Sequence, residues 1–224
     1  MTDAETPLAF PVAGTTVSAL LLRPAGARAL LVLGHGAGAG MRHPFMAAVS
    51  HRLADRGIAT LRYQFPYMER KTGRPDTPAV ATATVRAACD LAGRTAPDLP
   101  LLAGGKSFGG RMTSTAQSEA PLPGVRGLVF LGFPLHPPKR PATGRGDHLD
   151  RVAIPMLFLQ GTRDDLADLD LIRGVTGRLG ARATLHVVAG ANHSFAVLKR
   201  TGRSDEQVLD ELGDATAAWA AGLP

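Results

Sequence analysis

The segment Gly105-Lys106-Ser107-Phe108-Gly109 fits the pattern G-x-S-x-G. Apolar Leu101-Leu102-Ala103 runs into it, and a helical pattern follows. A serine on so tight a strand-to-helix turn projects its hydroxyl above the edge of a sheet, where it can attack a carbonyl carbon. The turn brings the residues two before and two after the serine together, so both must be small. The helix that starts there favours negative charge at its N-terminus. A serine alone is a poor nucleophile and needs a base and an orienting acid. Both follow downstream, in the order Ser, Asp, His. Met156-Leu157-Phe158-Leu159 leads into Gln160-Gly161-Thr162-Arg163-Asp164-Asp165, and His186-Val187-Val188 leads into Ala189-Gly190-Ala191-Asn192-His193. A carboxylate and an imidazole just beyond the carboxyl ends of strands share the serine's sheet edge. Asp164 is the expected acid, and Asp165, after the same strand, competes with it. Gly34-His35-Gly36-Ala37-Gly38 follows the apolar run Ala29 to Leu33 and suits an oxyanion hole. A tetrahedral intermediate needs two N–H donors, for which Ala37 and Phe108 are the candidates. The glycines beside Ala37 let the backbone approach a substrate closely.

Other chemistries fit less well. Gly105-Lys106-Ser107 also ends a phosphate loop of the form G-x-x-x-x-G-K-[ST], but Pro100 stands where the first glycine belongs. Gly34 to Gly40 lacks the G-x-G-x-x-G register of a dinucleotide site. One cysteine, Cys89, gives neither an internal disulfide nor a thiolate cluster, so no metal and no cofactor are expected. The net charge is +6, but only Lys71, Lys106, Lys139 and Lys199 are lysines and the arginines are scattered, which speaks against nucleic acid. With 45% hydrophobic and 20% charged residues the chain is not disordered. Met1 to Phe10 holds Asp3 and Glu5 and no apolar run, and no apolar stretch approaches the length of a membrane span. A cytoplasmic protein with a small-molecule acyl substrate and no membrane partner is expected; the sequence does not specify an oligomeric state.

Positioning these residues requires strands that alternate with helices. Val17 to Leu22, Ala29 to Leu33, Ile58 to Phe65, Leu101 to Ala103, Leu128 to Leu131, Ile154 to Leu159 and Ala183 to Val188 read as strands, with a short first one near Leu8. Most are continuously apolar, as strands covered on both faces are. Pro44 to Arg56 places Phe45, Met46, Val49 and Leu53 on one side of a helix that Gly57 stops. Pro78 to Ala92 reads as an Ala-rich helix, and Ser204-Asp205-Glu206-Gln207 opens the last one with a capping box. The expected fold is α/β: a doubly wound, mostly parallel sheet of about seven to eight strands with helices on both faces.

These residues resemble the α/β-hydrolase superfamily. The likeness is to its small, lidless members: dienelactone-hydrolase-like proteins and the predicted hydrolase group that includes testis-expressed proteins and a chromatin-complex subunit. It rests on His35 to Gly40, Phe65-Pro66-Tyr67-Met68-Glu69, Gly105 to Gly110, Phe133 to Pro138, Gly161-Thr162-Arg163-Asp164 and Asn192-His193-Ser194-Phe195. It implies one α/β-hydrolase domain over residues 1–224 and a Ser107–Asp164–His193 triad. The doubled Asp164-Asp165 departs from the pattern and keeps the identity of the acid open. Residues 133–153 stand where larger relatives insert a lid, so a bare core with an open pocket is expected. Tyr67, Met68, Leu135 and His136 are the expected pocket walls, His43 is a further candidate, and His35 is expected to brace the oxyanion loop. Arg70, Lys71, Arg74, Lys139, Arg140 and Arg145 fall on rim loops and favour an anionic substrate. The expected activity is ester or thioester hydrolysis through an acyl-enzyme on Ser107, with His193 as base. The alternative is a non-catalytic binding or scaffold module on the same fold, since fold membership does not guarantee turnover.

Overall fold

A computed structural model describes residues 4–223 of the chain; Met1 to Asp3, part of the N-terminal segment discussed above, lie outside them. The strands are β1 (Thr6–Val12), β2 (Thr15–Leu22), β3 (Ala29–Gly34), β4 (Ile58–Tyr63), β5 (Leu101–Lys106), β6 (Val125–Leu131), β7 (Met156–Arg163) and β8 (Ala183–Asn192). The α-helices are α1 (Pro44–Ala54), α2 (Pro66–Glu69), α3 (Pro78–Thr95), α4 (Phe108–Glu119), α5 (Leu169–Leu179) and α6 (Asp205–Ala221). The strands form one sheet in the order β1-β2-β4-β3-β5-β6-β7-β8. β1 with β2 and β2 with β4 pair antiparallel, and the remaining pairs are parallel.

The continuous apolar runs are explained by helices on both faces. In β3, Leu30 and Val32 pack on one side while Ala29, Leu31 and Leu33 pack on the other. The same alternation splits Leu128 and Phe130 from Val129 and Leu131 in β6. Helices α3, α4 and α5 cover the first face through Val85, Met112 and Ile172. Helices α1 and α6 cover the second through Met46, Val49, Leu53, Val208 and Leu212. Each fully buried Leu, Val or Phe contributes roughly 1.5–3 kcal/mol relative to exposure.

Element ends move for identifiable reasons. The strand expected to reach Phe65 stops at Tyr63, because Pro66 opens the short helix α2. The strand expected from Ile154 starts at Met156, since Pro155 has no N–H for the ladder. β5 runs on to Lys106 because Gly104 and Gly105 allow close approach: a Cβ on Gly104 would strike the Val129 carbonyl. The capping box of α6 forms, with Ser204 and Gln207 exchanging side-chain-to-backbone bonds.

Strand order reverses between β3 and β5. From β3 the chain passes through α1 to β4 on one side, and α3 returns it to β5 on the other. At such a switch point the loops beyond the two carboxyl ends part and leave a crevice. Between β6 and β7, residues 132–155 contain only a 3-10 segment, Gly144–Arg151, in place of a lid.

Candidate active site

Ser107 lies between the end of β5 and the start of α4 with φ 49° and ψ −111°. A non-glycine residue held there costs on the order of 1–3 kcal/mol, which the surrounding structure must offset. Ser107 N donates to the Leu131 carbonyl (3.2 Å), and its own carbonyl accepts from Arg111 N (3.0 Å). Gly105 and Gly109 meet as the turn requires: a Cβ on Gly105 would come 2.9 Å from the Gly109 carbonyl carbon. Gly34 joins them, since a Cβ on Gly109 would lie 2.5 Å from the Gly34 carbonyl carbon and 2.8 Å from the His35 oxygen. The elbow and the loop after β3 are therefore in backbone contact.

The loops after β7 and β8 bring the other two groups in. Ser107 Oγ donates to His193 Nε2 at 2.9 Å. His193 Nδ1 donates to Asp164 Oδ2 at 2.7 Å, a pairing that fixes the tautomer. Asp164 is buried and accepts two more bonds, from Gln160 Nε2 (2.5 Å) and Leu166 N (2.8 Å). Asp165 is exposed, so the carboxylate that reaches the imidazole is that of Asp164. Gln160 is buried at the end of an apolar strand and also accepts from Phe133 N (3.0 Å). Sequence reasoning missed it; the signal was a lone polar side chain closing the run Met156 to Leu159. Asn192 shapes the histidine turn, its Oδ1 accepting from Ser194 N (2.9 Å) and Ala196 N (3.0 Å).

On the other side of Ser107 stands the loop Gly34 to Gly40. Among the described residues nothing accepts from the Ala37 amide, and Phe108 N opens α4 with no carbonyl a turn behind it. His35 is fully buried; its Nδ1 donates to the Gly36 carbonyl (2.8 Å) and its Nε2 accepts from Phe65 N (3.1 Å). Burial holds its pKa down at about 4, so it stays neutral and braces the loop. The Tyr67 hydroxyl donates to the Gly36 carbonyl at 3.4 Å, and burial pushes its pKa up.

A cleft of about 450 Å³ opens beside Ser107. Its walls include Ala37, His43, Phe45, Met46, Leu166 and Ser194. His43 is there as expected, capping α1 by accepting from Phe45 N (3.2 Å). The other expected wall residues stand elsewhere. Tyr67 is buried beneath the loop after β3. Met68 is half-buried behind Gly40. Leu135 is fully buried and faces Gly146. His136 is tied down by a bond from Nδ1 to the Pro137 carbonyl (2.9 Å) and one from Asp168 N to Nε2 (2.8 Å). Nor does the basic rim reach the cleft: Lys71, Arg74, Lys139 and Arg140 are exposed, Arg145 is half-buried and Arg70 pairs with Asp76 (2.6 Å). The lysine in the cleft wall is Lys106.

The family model for an alpha/beta hydrolase domain matches residues 27–221. The chain belongs to that family. The α/β-hydrolase fold is shared with solved structures at low identity. A dienelactone hydrolase from Anabaena variabilis has a TM-score of 0.77 at 20% identity, over 100% of this chain and 99% of that one. An α/β serine hydrolase without a lid from Xanthomonas campestris has a TM-score of 0.74 at 18% identity, over 98% and 95%. An esterase domain from Rhodothermus marinus gives 0.74 at 17%, over 98% and 99%. This α/β hydrolase is thus a small, lidless member of the superfamily. Among the described residues, no helix is long and apolar enough to cross a membrane, and no group of His, Cys, Asp and Glu is arranged to hold a metal.

Proposed function

We propose that the protein hydrolyses an ester or thioester of a small molecule through an acyl-enzyme on Ser107. The observation that carries this reading is the continuous chain of hydrogen bonds from Ser107 Oγ through His193 to Asp164, at 2.9 and 2.7 Å. His193 Nε2 takes the Ser107 proton as the oxygen attacks the carbonyl carbon. The Ala37 and Phe108 amides hold the oxyanion, and Asp164 keeps the tautomer and stabilises the imidazolium. The tetrahedral intermediate collapses, and His193 returns the proton to the departing alkoxide or thiolate. Water, deprotonated by the same imidazole, then releases the acid and restores Ser107. Phe45, Met46 and Leu166 give the acyl group an apolar wall. The Rhodothermus neighbour is an esterase domain, which is in keeping with ester chemistry.

The test is covalent labelling by a fluorophosphonate. The wild-type protein takes the label and Ser107→Ala does not, and ester turnover falls on the order of 10⁴- to 10⁶-fold in the variant. A folded wild-type protein that takes no label refutes the reading.

A further inference from the structure

Lys106 is a cation that the mechanism above leaves unused. Its ammonium is buried and has no hydrogen-bond partner among the described residues. It sits 5.6 Å from the centre of the Phe195 ring. Gly132 is also near it, and its φ of +70° and missing side chain leave room: a Cβ there would be 3.1 Å from Lys106 Nζ, 3.4 Å from His193 Nδ1 and 3.5 Å from Asp164 Oδ2. These distances hold the ammonium within about 6.5 Å of the imidazole and about as near to the carboxylate. The titratable groups that face it are Asp164 from the end of β7, His193 from the end of β8 and His43 from the start of α1 across the cleft.

We propose that Lys106 is a positioning residue that acts through His193: its charge opposes the imidazolium formed during attack, and loss of that charge speeds the chemical step. This rests on the reading of Ser107 and His193 given above. Two unit charges at this separation, under screening between that of water and that of a protein surface, change the rate roughly tenfold. The charge is lost in an ordinary pH range. Burial draws the Lys106 pKa down to about 8, against the pull of Asp164. Below that pH the ammonium restrains attack; above it the neutral amine does not. An Arg at this position stays charged throughout, and a Met keeps the apolar stem without the charge.

The experiment is the second-order rate constant for fluorophosphonate inactivation, followed from pH 6 to 10 in the wild type, Lys106→Met, Lys106→Gln and Lys106→Arg. The wild-type rate climbs about tenfold through a step near pH 8. In Lys106→Met and Lys106→Gln the step is gone and the faster rate holds on both sides of it. In Lys106→Arg the step is gone and the slower rate persists. A structural role for the side chain alone would change all rates without removing the step. A wild-type protein that is labelled but shows no step overturns the inference by itself, even if no variant folds. So does a step that survives in Lys106→Met. Absence of any wild-type labelling instead strikes the Ser107 reading.

Discussion

Gly109→Ala adds one methyl group where the elbow touches the loop after β3. Gly109 lies in the first turn of α4, so on propensity alone alanine would gain roughly 1 kcal/mol. The contacts reverse that expectation. The new Cβ would lie 2.5 Å from the Gly34 carbonyl carbon and 2.8 Å from the His35 oxygen, where ordinary contacts begin near 3.4 Å. Both opposing atoms are backbone, so no rotamer change relieves the clash. The two segments must part by roughly 0.5–1 Å, at a cost of about 1–3 kcal/mol for overpacking. For a domain of this size each kcal/mol shifts Tm by about 2–4 °C. The displacement separates the segments that carry Ser107 and Ala37, and a misplacement near 1 Å costs on the order of 10²-fold in rate. The assay pairs thermal unfolding with the rate constant for fluorophosphonate labelling. Gly174→Ala in α5 is the control, since its Cβ meets nothing within 4 Å, and it gains up to about 1 kcal/mol. Gly109→Ala with the wild-type Tm and labelling rate would show that backbone contact does not set the geometry of the site.

The remaining predictions concern groups around that contact. Asp164→Asn leaves the fold intact but removes the carboxylate that fixes the His193 tautomer, and kcat for ester hydrolysis falls on the order of 10⁴-fold; an unchanged kcat assigns the acid elsewhere. Asn192→Ala strips the acceptor from two amides of the histidine turn, costing about 1–2 kcal/mol in urea unfolding and slowing labelling in parallel. His35 predicts acid sensitivity. Its folded pKa of about 4 lies below the value near 6.5 of the unfolded chain, so between these values the unfolded state binds the extra proton and stability falls as pH falls. The loss reaches about 3 kcal/mol by pH 4, and half-buried His148, also held at about 4, adds in the same direction. Urea titrations at pH 7 and 4.5 should show a smaller difference in His35→Gln than in the wild type.

The fold was legible because its signals are local or periodic. β3, β6 and β7 announce themselves by unbroken apolar runs, and α6 by its capping box. The serine, the histidine and Asp164 were legible because each follows such a strand, and the sheet places all those ends together. Asp165 illustrates where sequence stops: both residues lie in the turn after β7, and only the fold shows that Asp164 turns inward while Asp165 stays exposed. The expected wall residues were displaced for a related reason. Tyr67, in the short helix α2, and Leu135 and His136, on the loop after β6, lie at the correct edge, but whether such a side chain faces the cleft or the core depends on distant partners. For His136 the partner is Asp168 N, and for Tyr67 it is the Gly36 carbonyl. No pattern near those residues encodes either contact.

The groups proposed to react are held by backbone and by buried hydrogen bonds, and much of the cleft wall is not. Gly34, Gly105 and Gly109 bring the loop after β3 and the elbow to touching distance, with nothing larger tolerated. His35 fixes one loop from beneath, and Gln160 and Leu166 N fix the carboxylate that fixes the imidazole. Preorganised donors of this kind need no lid to complete them. The cleft wall is different: Ala37 and Ser194 are exposed, and Phe45 and Leu166 are only half-buried. On the proposed reading, substitutions of Phe45 or Ser194 retune which acyl groups fit while Ser107, His193 and Asp164 keep their hydrogen bonds. On that reading a lidless core separates reactivity from selectivity, and Lys106 belongs to the first of these: its stem borders the cleft while its ammonium lies near the imidazole.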